Sequence, residues 1–172
     1  ECSSTEWYAI KAFVHFAKNI SHAFGWKYDN DVIKITALTG AAACEIPNGR
    51  TLHSQACLSS QKISQKQKDT WVYSKMLIID EVSFLDEDNL RKLDKHLRKL
   101  KEKDVIFGGV HVVFVGDFFQ ILPVRGLPLF KNNTIQFNTI NRAVFLNVSH
   151  RFSDDPSYGE IMRRFRIGQV IK

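Results

Sequence analysis

The run KMLIIDEVSFLD, residues 75–86, sets two adjacent carboxylates, Asp80 and Glu81, directly behind Leu77, Ile78 and Ile79. Three apolar residues in a row ask for a buried strand, so the acids fall where that strand ends. An acid in that place, facing a phosphate group, can hold a magnesium ion directly or through water. A second acid beside it can orient or deprotonate the water that attacks a phosphoryl group. Asp80 is then the metal-side residue and Glu81 the water-positioning one. Taken alone, such a pair is more often a solvated strand end or a helix N-cap.

A second stretch repeats the arrangement. GVHVVFVGDFFQILPV, residues 109–124, has an apolar core, VVFV, a polar end at Gly116-Asp117, and Gln120 three residues on. Gly116 and Asp117 are candidates to face a nucleotide. The neutral amide of Gln120 is suited to contact a terminal phosphate or the attacking water, and so to sense whether that phosphate is present. The alternative is a turn in which Asp117 caps a helix and Gln120 is incidental.

The third stretch is ITALTGAAACEIPNGRTLHS, residues 35–54. Small residues let a backbone approach another chain closely. Amides near Thr39 and Gly40, with the hydroxyls of Thr51 and Ser54, are candidates to contact phosphates of a nucleic-acid strand. His53 could stack or donate there. The alternative is a tightly packed strand, turn and helix in which His53 is structural.

The elements that must position these residues alternate between strand and helix. YAIKAFVHFAKNI carries Ile10, Phe13, Val14, Phe16 and Ala17 at helical spacing, and predicts a helix over 6–24. Residues 32–38 form a β-rich run, GAAACEI a helix start, PNGR a turn, and 51–56 a short helix. SSQKISQKQKDTW is polar and predicts a loop. Residues 75–80 and 111–115 predict strands. Between them DEDNLRKLDKHLRKLKEK, residues 86–103, is an amphipathic helix with acids in its first turn and lysines in its last, as the helix dipole favours. AVFLNV, residues 143–148, predicts an edge strand, and 156–168 a helix bearing Arg163, Arg164 and Arg166. Apolar strands alternating with helices indicate a parallel sheet covered on both faces. In such sheets a ligand sits beyond the carboxyl ends of the strands. Thr39-Gly40, Asp80-Glu81 and Gly116-Asp117 should therefore line one edge.

The 172 residues suffice for one domain with a sizeable core. A net charge of +6 suits a polyanionic partner, nucleic acid above all, though many basic proteins bind none. Cys2, Cys44 and Cys57 are odd in number and lack the spacing of a disulfide framework or a zinc site, which favours a reducing intracellular compartment. No apolar run has the length of a membrane span. Neither terminus has an opening or closing element, so a fragment is expected.

The order TALTGAAA…GRTLHS, then LIIDEVSFLD, then GGVHVVFVGDFFQILPV resembles the motor core of the PIF (petite integration frequency) family of DNA helicases, including the helicase part of Helitron-type mobile elements. The later stretch LNVSHRFSDDPSYGEIMRRFRIGQ is similar to the family segment that follows. The resemblance spans about residues 8–170. It implies an α/β fold: the first RecA-like P-loop NTPase domain, here incomplete, of a 5′-to-3′ ATP-dependent DNA helicase. Further implications are ATP as substrate, magnesium, single-stranded DNA or DNA junctions as partner, and a nuclear or mitochondrial location. Arg151 matches the family arginine that reaches the terminal phosphate of ATP.

One family part departs. A glycine-rich phosphate loop, whose amides, lysine and hydroxyl hold nucleotide and magnesium, should precede the first helix. That place holds ECSSTEW, with Ser3 and Thr5 for the glycines, Glu6 for the lysine and Trp7 for the hydroxyl residue. A carboxylate there repels phosphate. The resemblance also implies a second RecA-like domain, absent from the sequence given, without which the motor cannot cycle. Two readings follow: part of a helicase, or a remnant that binds single-stranded DNA or protein without turnover. A nucleotide kinase has no place for GDFFQ-x-LPV.

Overall fold

Two strands are buried along nearly their whole length. Ile33–Ala37 (β1) and Met76–Asp80 (β3) alternate side chains between the sheet faces, yet both faces are covered. The computed structural model describes residues 5–23, 32–47, 49–131, 135–146 and 152–169. Among these, α1 is Thr5–Ala23, α2 Gly40–Glu45, β2 Arg50–Thr51, α3 Leu52–Gln55 and α4 Gln65–Asp69. After β3 come α5 (Glu87–Lys101), β4 (His111–Phe114), α6 (Ile135–Asn138) and α7 (Pro156–Arg166). The sheet order is β2-β1-β3-β4, and each pairing is parallel. This is the parallel α/β layout that the alternating pattern predicts.

The chain divides into two compact units, 28–141 and 1–27 with 142–172. The first holds the sheet. Its largest covering element is α5, which begins where the Asp86 carboxylate accepts the Asn89 N–H at 2.8 Å. Leu90, Leu93, Leu97 and Leu100 recur at helical spacing and are buried with Leu77, Ile79 and Trp71. Each fully buried leucine contributes about 2 kcal/mol of transfer free energy. The helix ends at Glu102 in a left-handed conformation, and Lys101 donates to the carbonyls of Trp71, Val72 and Ser74 at 2.7, 2.8 and 3.0 Å. Phe107, Gly108 and Gly109 are left-handed in succession and turn the chain back into β4. A Cβ on Gly108 would lie 2.5 Å from the Leu97 carbonyl oxygen. The buried Asp94 holds this turn by accepting the Phe107 N–H at 2.7 Å, while also accepting from Nε and Nη2 of Arg98, each at 3.0 Å, and from Gln136 at 2.9 Å.

The second unit contains α1 and α7. Of the apolar positions read on α1, Ile10 is buried, Val14 and Ala17 half-buried, and Phe13 and Phe16 exposed. α7 begins at Asp155, whose carboxylate accepts the Tyr158 N–H at 2.9 Å, with Pro156 in its first turn. Glu160 pairs with Arg163 and Arg164, and these two partners hold its carboxyl down at about 2.

Three expectations need correction. The polar stretch 59–71 is not all loop. Ser64 and Gln67 form a reciprocal capping box that starts α4 without any buried residue. Arg50-Thr51 is not only the end of a turn but a strand, paired with Thr36 and Ala37. Residues 143–146 are exposed and irregular rather than an edge strand, and 147–148 lie outside the described residues. β propensity alone does not form a strand without a neighbour to pair with.

Candidate active site

Register brings the polar strand ends together. Ala37 pairs with both Thr51 and Asp80, and Ile79 pairs with Phe114. Thr39, Thr51, Asp80 and Gly116 therefore leave their strands at the same carboxyl edge.

At the centre of this edge the ladder slips by one residue. The Val115 N–H donates to the Ile79 carbonyl at 2.8 Å, as a parallel ladder requires. The Val115 carbonyl should then accept the Glu81 N–H. It accepts the Val82 N–H instead, at 2.9 Å. The Glu81 N–H turns to the Asp80 carboxylate, at 2.9 Å. Glu81 itself sits at φ 59°, ψ 42°, a left-handed conformation costing a non-glycine residue about 1 kcal/mol. Glu81 is thus lifted out of the ladder as a bulge, directly after Asp80, the last residue of β3, and Val82–Phe84 follows as a single 3-10 turn. Both carboxylate residues are half-buried.

Gly116 makes the slip possible. Its φ is 140°, and a Cβ there would lie 2.9 Å from the Val82 nitrogen and 3.4 Å from the Glu81 carbonyl carbon. Beyond it the Asp117 carboxylate accepts the Phe119 N–H at 2.9 Å, and the Asp117 carbonyl accepts the Gln120 N–H at 3.0 Å. This is a turn headed by aspartate, and it leaves Gln120 exposed. Phe118 anchors it, edge-on to Phe130 and Phe137 at 5.6 and 6.3 Å between ring centres.

The other end of the edge is built from N-caps. The Thr39 hydroxyl accepts the Ala42 N–H at 3.2 Å, and the Thr51 hydroxyl accepts the Ser54 N–H at 3.3 Å. Both threonines therefore have a structural role, and each hydroxyl keeps a proton to donate. Gly40 and Ser54 are exposed, and His53 is half-buried. A Cβ on Gly40 would meet nothing within 4 Å, so packing within the described residues does not require that glycine. Gly49 is the glycine that close packing does require, since a Cβ there would lie 2.5 Å from the Ala43 carbonyl oxygen.

One polar group was not singled out from the sequence. The Ser83 hydroxyl is buried in the 3-10 turn after Glu81 with no hydrogen-bond partner among the described residues. Its signal was a serine inside an otherwise apolar turn. Arg151 and residues 1–4 lie outside the described residues. Glu6 and Trp7 fall in the first turn of α1, with side chains also outside them.

A sequence profile of PIF1-like helicases matches residues 11–144. The chain belongs to the PIF1-like helicase family. It is 43% identical over 162 residues to the ATP-dependent DNA helicase RRM3 of Saccharomyces cerevisiae, covering 83% of this chain and 22% of that protein. It is 33% identical over 165 residues to the ATP-dependent DNA helicase PIF1 of Emericella nidulans, covering 84% and 21%. The chain thus spans about a fifth of the length of these PIF1-like relatives. Among solved structures, the Pif1 helicase from Candida albicans matches with a TM-score of 0.74 at 29% identity, over 91% of this chain and 37% of that one. The Bacteroides Pif1 helicase in complex with ADP-AlF3 and ssDNA matches with a TM-score of 0.69 at 28% identity, over 84% and 38%. The parallel sheet with its helices is therefore the RecA-like core that the motifs implied.

Proposed function

We propose that this chain is part of the first motor domain of a 5′-to-3′ helicase that couples ATP hydrolysis to DNA unwinding. The observation that carries the reading is the one-residue slip at Asp80-Glu81. It leaves Asp80 at the very end of β3 and lifts Glu81 out of the ladder, against Gly116, the glycine that opens the Asp117–Gln120 turn. The Bacteroides relative with ADP-AlF3 and ssDNA supports a nucleotide and a single strand as the ligands.

In this reading Asp80 holds magnesium. Its hard oxygen donors suit that ion. Among the described residues no group of three His, Cys, Asp or Glu side chains stands together, so water and phosphate oxygens would complete the shell. The ion, when bound, would neutralise charge on the phosphates. Glu81 orients the attacking water and takes its proton, Gly116-Asp117 faces the nucleotide, and Gln120 contacts the terminal phosphate. Arg151 would stabilise charge in the transition state. Thr39, Gly40, Thr51, His53 and Ser54 contact the backbone of a single strand. A nuclear or mitochondrial location accompanies the family reading.

A second reading keeps the DNA edge and loses turnover. Glu6 and Trp7, standing where the phosphate-loop lysine and hydroxyl belong, favour it. Binding of a fluorescent ATP analogue with magnesium, beside Asp80→Ala and Glu81→Gln, separates the two. The motor reading expects analogue binding that weakens in Asp80→Ala and is kept in Glu81→Gln, with turnover left to the complete two-domain motor. No binding at millimolar nucleotide sinks the motor reading and leaves the binding remnant.

A further inference from the structure

At the opposite end of the sheet, α5 and the segment before α4 enclose an open groove of about 510 Å³. It is lined by Gln61, Lys62, Ile63, Lys68, Lys99 and Glu102. α5 starts beside the carboxyl edge and runs fifteen residues back, ending at Lys101, which caps the Ser74 carbonyl just before β3. At 1.5 Å per residue the groove therefore lies about 22 Å from the Asp80 edge. It is a separate surface within the sheet-bearing unit.

Its charge is unbalanced. Lys68 is held by Glu102 at 2.5 Å. Lys62 and Lys99 are exposed and have no ion-pair partner among the described residues. Two uncompensated ammonium groups thus face one open groove. Nearby, the Lys101 ammonium is pushed below its ordinary pKa, first by burial and then by Lys75, Lys103 and Lys34. This end of the molecule repels further cations. The lining carries no aromatic ring, so unstacked bases would have nothing to stack on. A duplex, whose bases are already stacked, needs no stacking surface and carries its phosphates on the outside.

We infer that this groove takes the sugar–phosphate backbone of duplex DNA, through Lys62 and Lys99, with Glu102 limiting its strength by occupying Lys68. The inference rests on the DNA-helicase reading and adds a second contact, away from the strand-end edge. It gives the capping box at Ser64 a purpose: α4 carries Lys68 and fixes the preceding segment that presents Lys62.

The test is fluorescence anisotropy of the full chain with a short labelled duplex, and with one of its strands, across a potassium chloride series. The double variant K62E/K99E should weaken duplex binding at least tenfold at low salt. It should also flatten the log–log salt slope by about two, one unit per lost phosphate contact. Its single-strand affinity should fall much less. E102Q, which frees Lys68, should tighten duplex binding several-fold. K92E/K131E makes the same charge change outside the groove and should move neither slope. All these side chains are exposed, and circular dichroism checks that each variant folds. Unchanged duplex affinity and slope in K62E/K99E would overturn the inference, as would equal losses on both ligands or equal losses in K92E/K131E. Absence of any DNA binding by the unsubstituted chain would overturn the helicase reading and the groove with it.

Discussion

Gly116 and Val82 approach so closely that a Cβ on the glycine would stand 2.9 Å from the Val82 nitrogen. That nitrogen donates to the Val115 carbonyl, so the contact and the slipped hydrogen bond are one feature. Alanine at position 116 meets both a backbone clash and a φ of 140°. Gly116→Ala should cost on the order of 3 kcal/mol. Nucleotide-analogue affinity should fall with it. Urea denaturation measures the first and analogue titration the second. A variant that keeps full stability would show that the β4 end does not lock the acidic bulge.

Asp94 binds Arg98, the Phe107 N–H and Gln136 from a buried position. Burial pushes its carboxyl up, but Arg98, Gln136 and the Phe107 amide outweigh burial and hold it below the usual aspartate range. The unfolded chain then binds the proton more readily than the folded one. The contribution of Asp94 is therefore complete above the ordinary aspartate value of about 3.9, and is lost as pH falls through the lowered folded value. Asp94→Asn should destabilise by about 3 kcal/mol at neutral pH. It should also flatten the acid limb of a stability–pH curve from chemical denaturation. An unchanged acid limb would count against the network.

His96 is buried on α5, with Nδ1 3.2 Å from the Ala56 carbonyl. Burial lowers its pKa most, the Ala56 carbonyl opposes this, and Lys99 and Lys95 lower it further. The folded state therefore resists protonation. Stability from this group is full above the ordinary histidine value of about 6.5, and declines as pH falls from there toward the lowered folded value. His96→Gln should reduce the slope of stability between neutral pH and pH of about 5. Thermal melts across that range decide it, and an equal slope in both proteins refutes the assignment.

Lys101 closes the carboxyl end of α5 onto three carbonyls. Lys101→Met keeps the packing of the stem and removes the ammonium. It should cost about 2 kcal/mol, because charged donors are lost and part-buried carbonyls lose a partner. Hydrogen exchange should quicken at the Trp71–Ser74 turn before it does in β3. Uniform quickening across the sheet would argue for global destabilisation instead.

Much of this was legible in the residues. Apolar runs ending in Thr39-Gly40, Asp80-Glu81 and Gly116-Asp117 marked three strand ends, and their register brings all three to one edge. The acids in the first turn of α5 and the lysines in its last marked that helix. α4 was hidden because capping by Ser64 and Gln67, not an apolar stripe, starts it. β2 was hidden because two residues carry no period. AVFLNV misled because its strand propensity meets no partner strand among the described residues.

The sequence by itself determined that β1, β3 and β4 are apolar runs, where those three run out, and that two adjacent acids stand at the end of β3. Those are local consequences of hydrophobic period and residue type. Only the tertiary structure decided that Glu81 turns left-handed, that Val115 takes the Val82 amide, and that Gly116 must lack a side chain. These depend on how β3 and β4 are aligned, which no single segment encodes. The groove at Lys62 and Lys99 likewise exists because α5 returns its carboxyl end to a segment more than thirty residues earlier. Charges far apart in the chain become one surface when a helix folds back along a sheet.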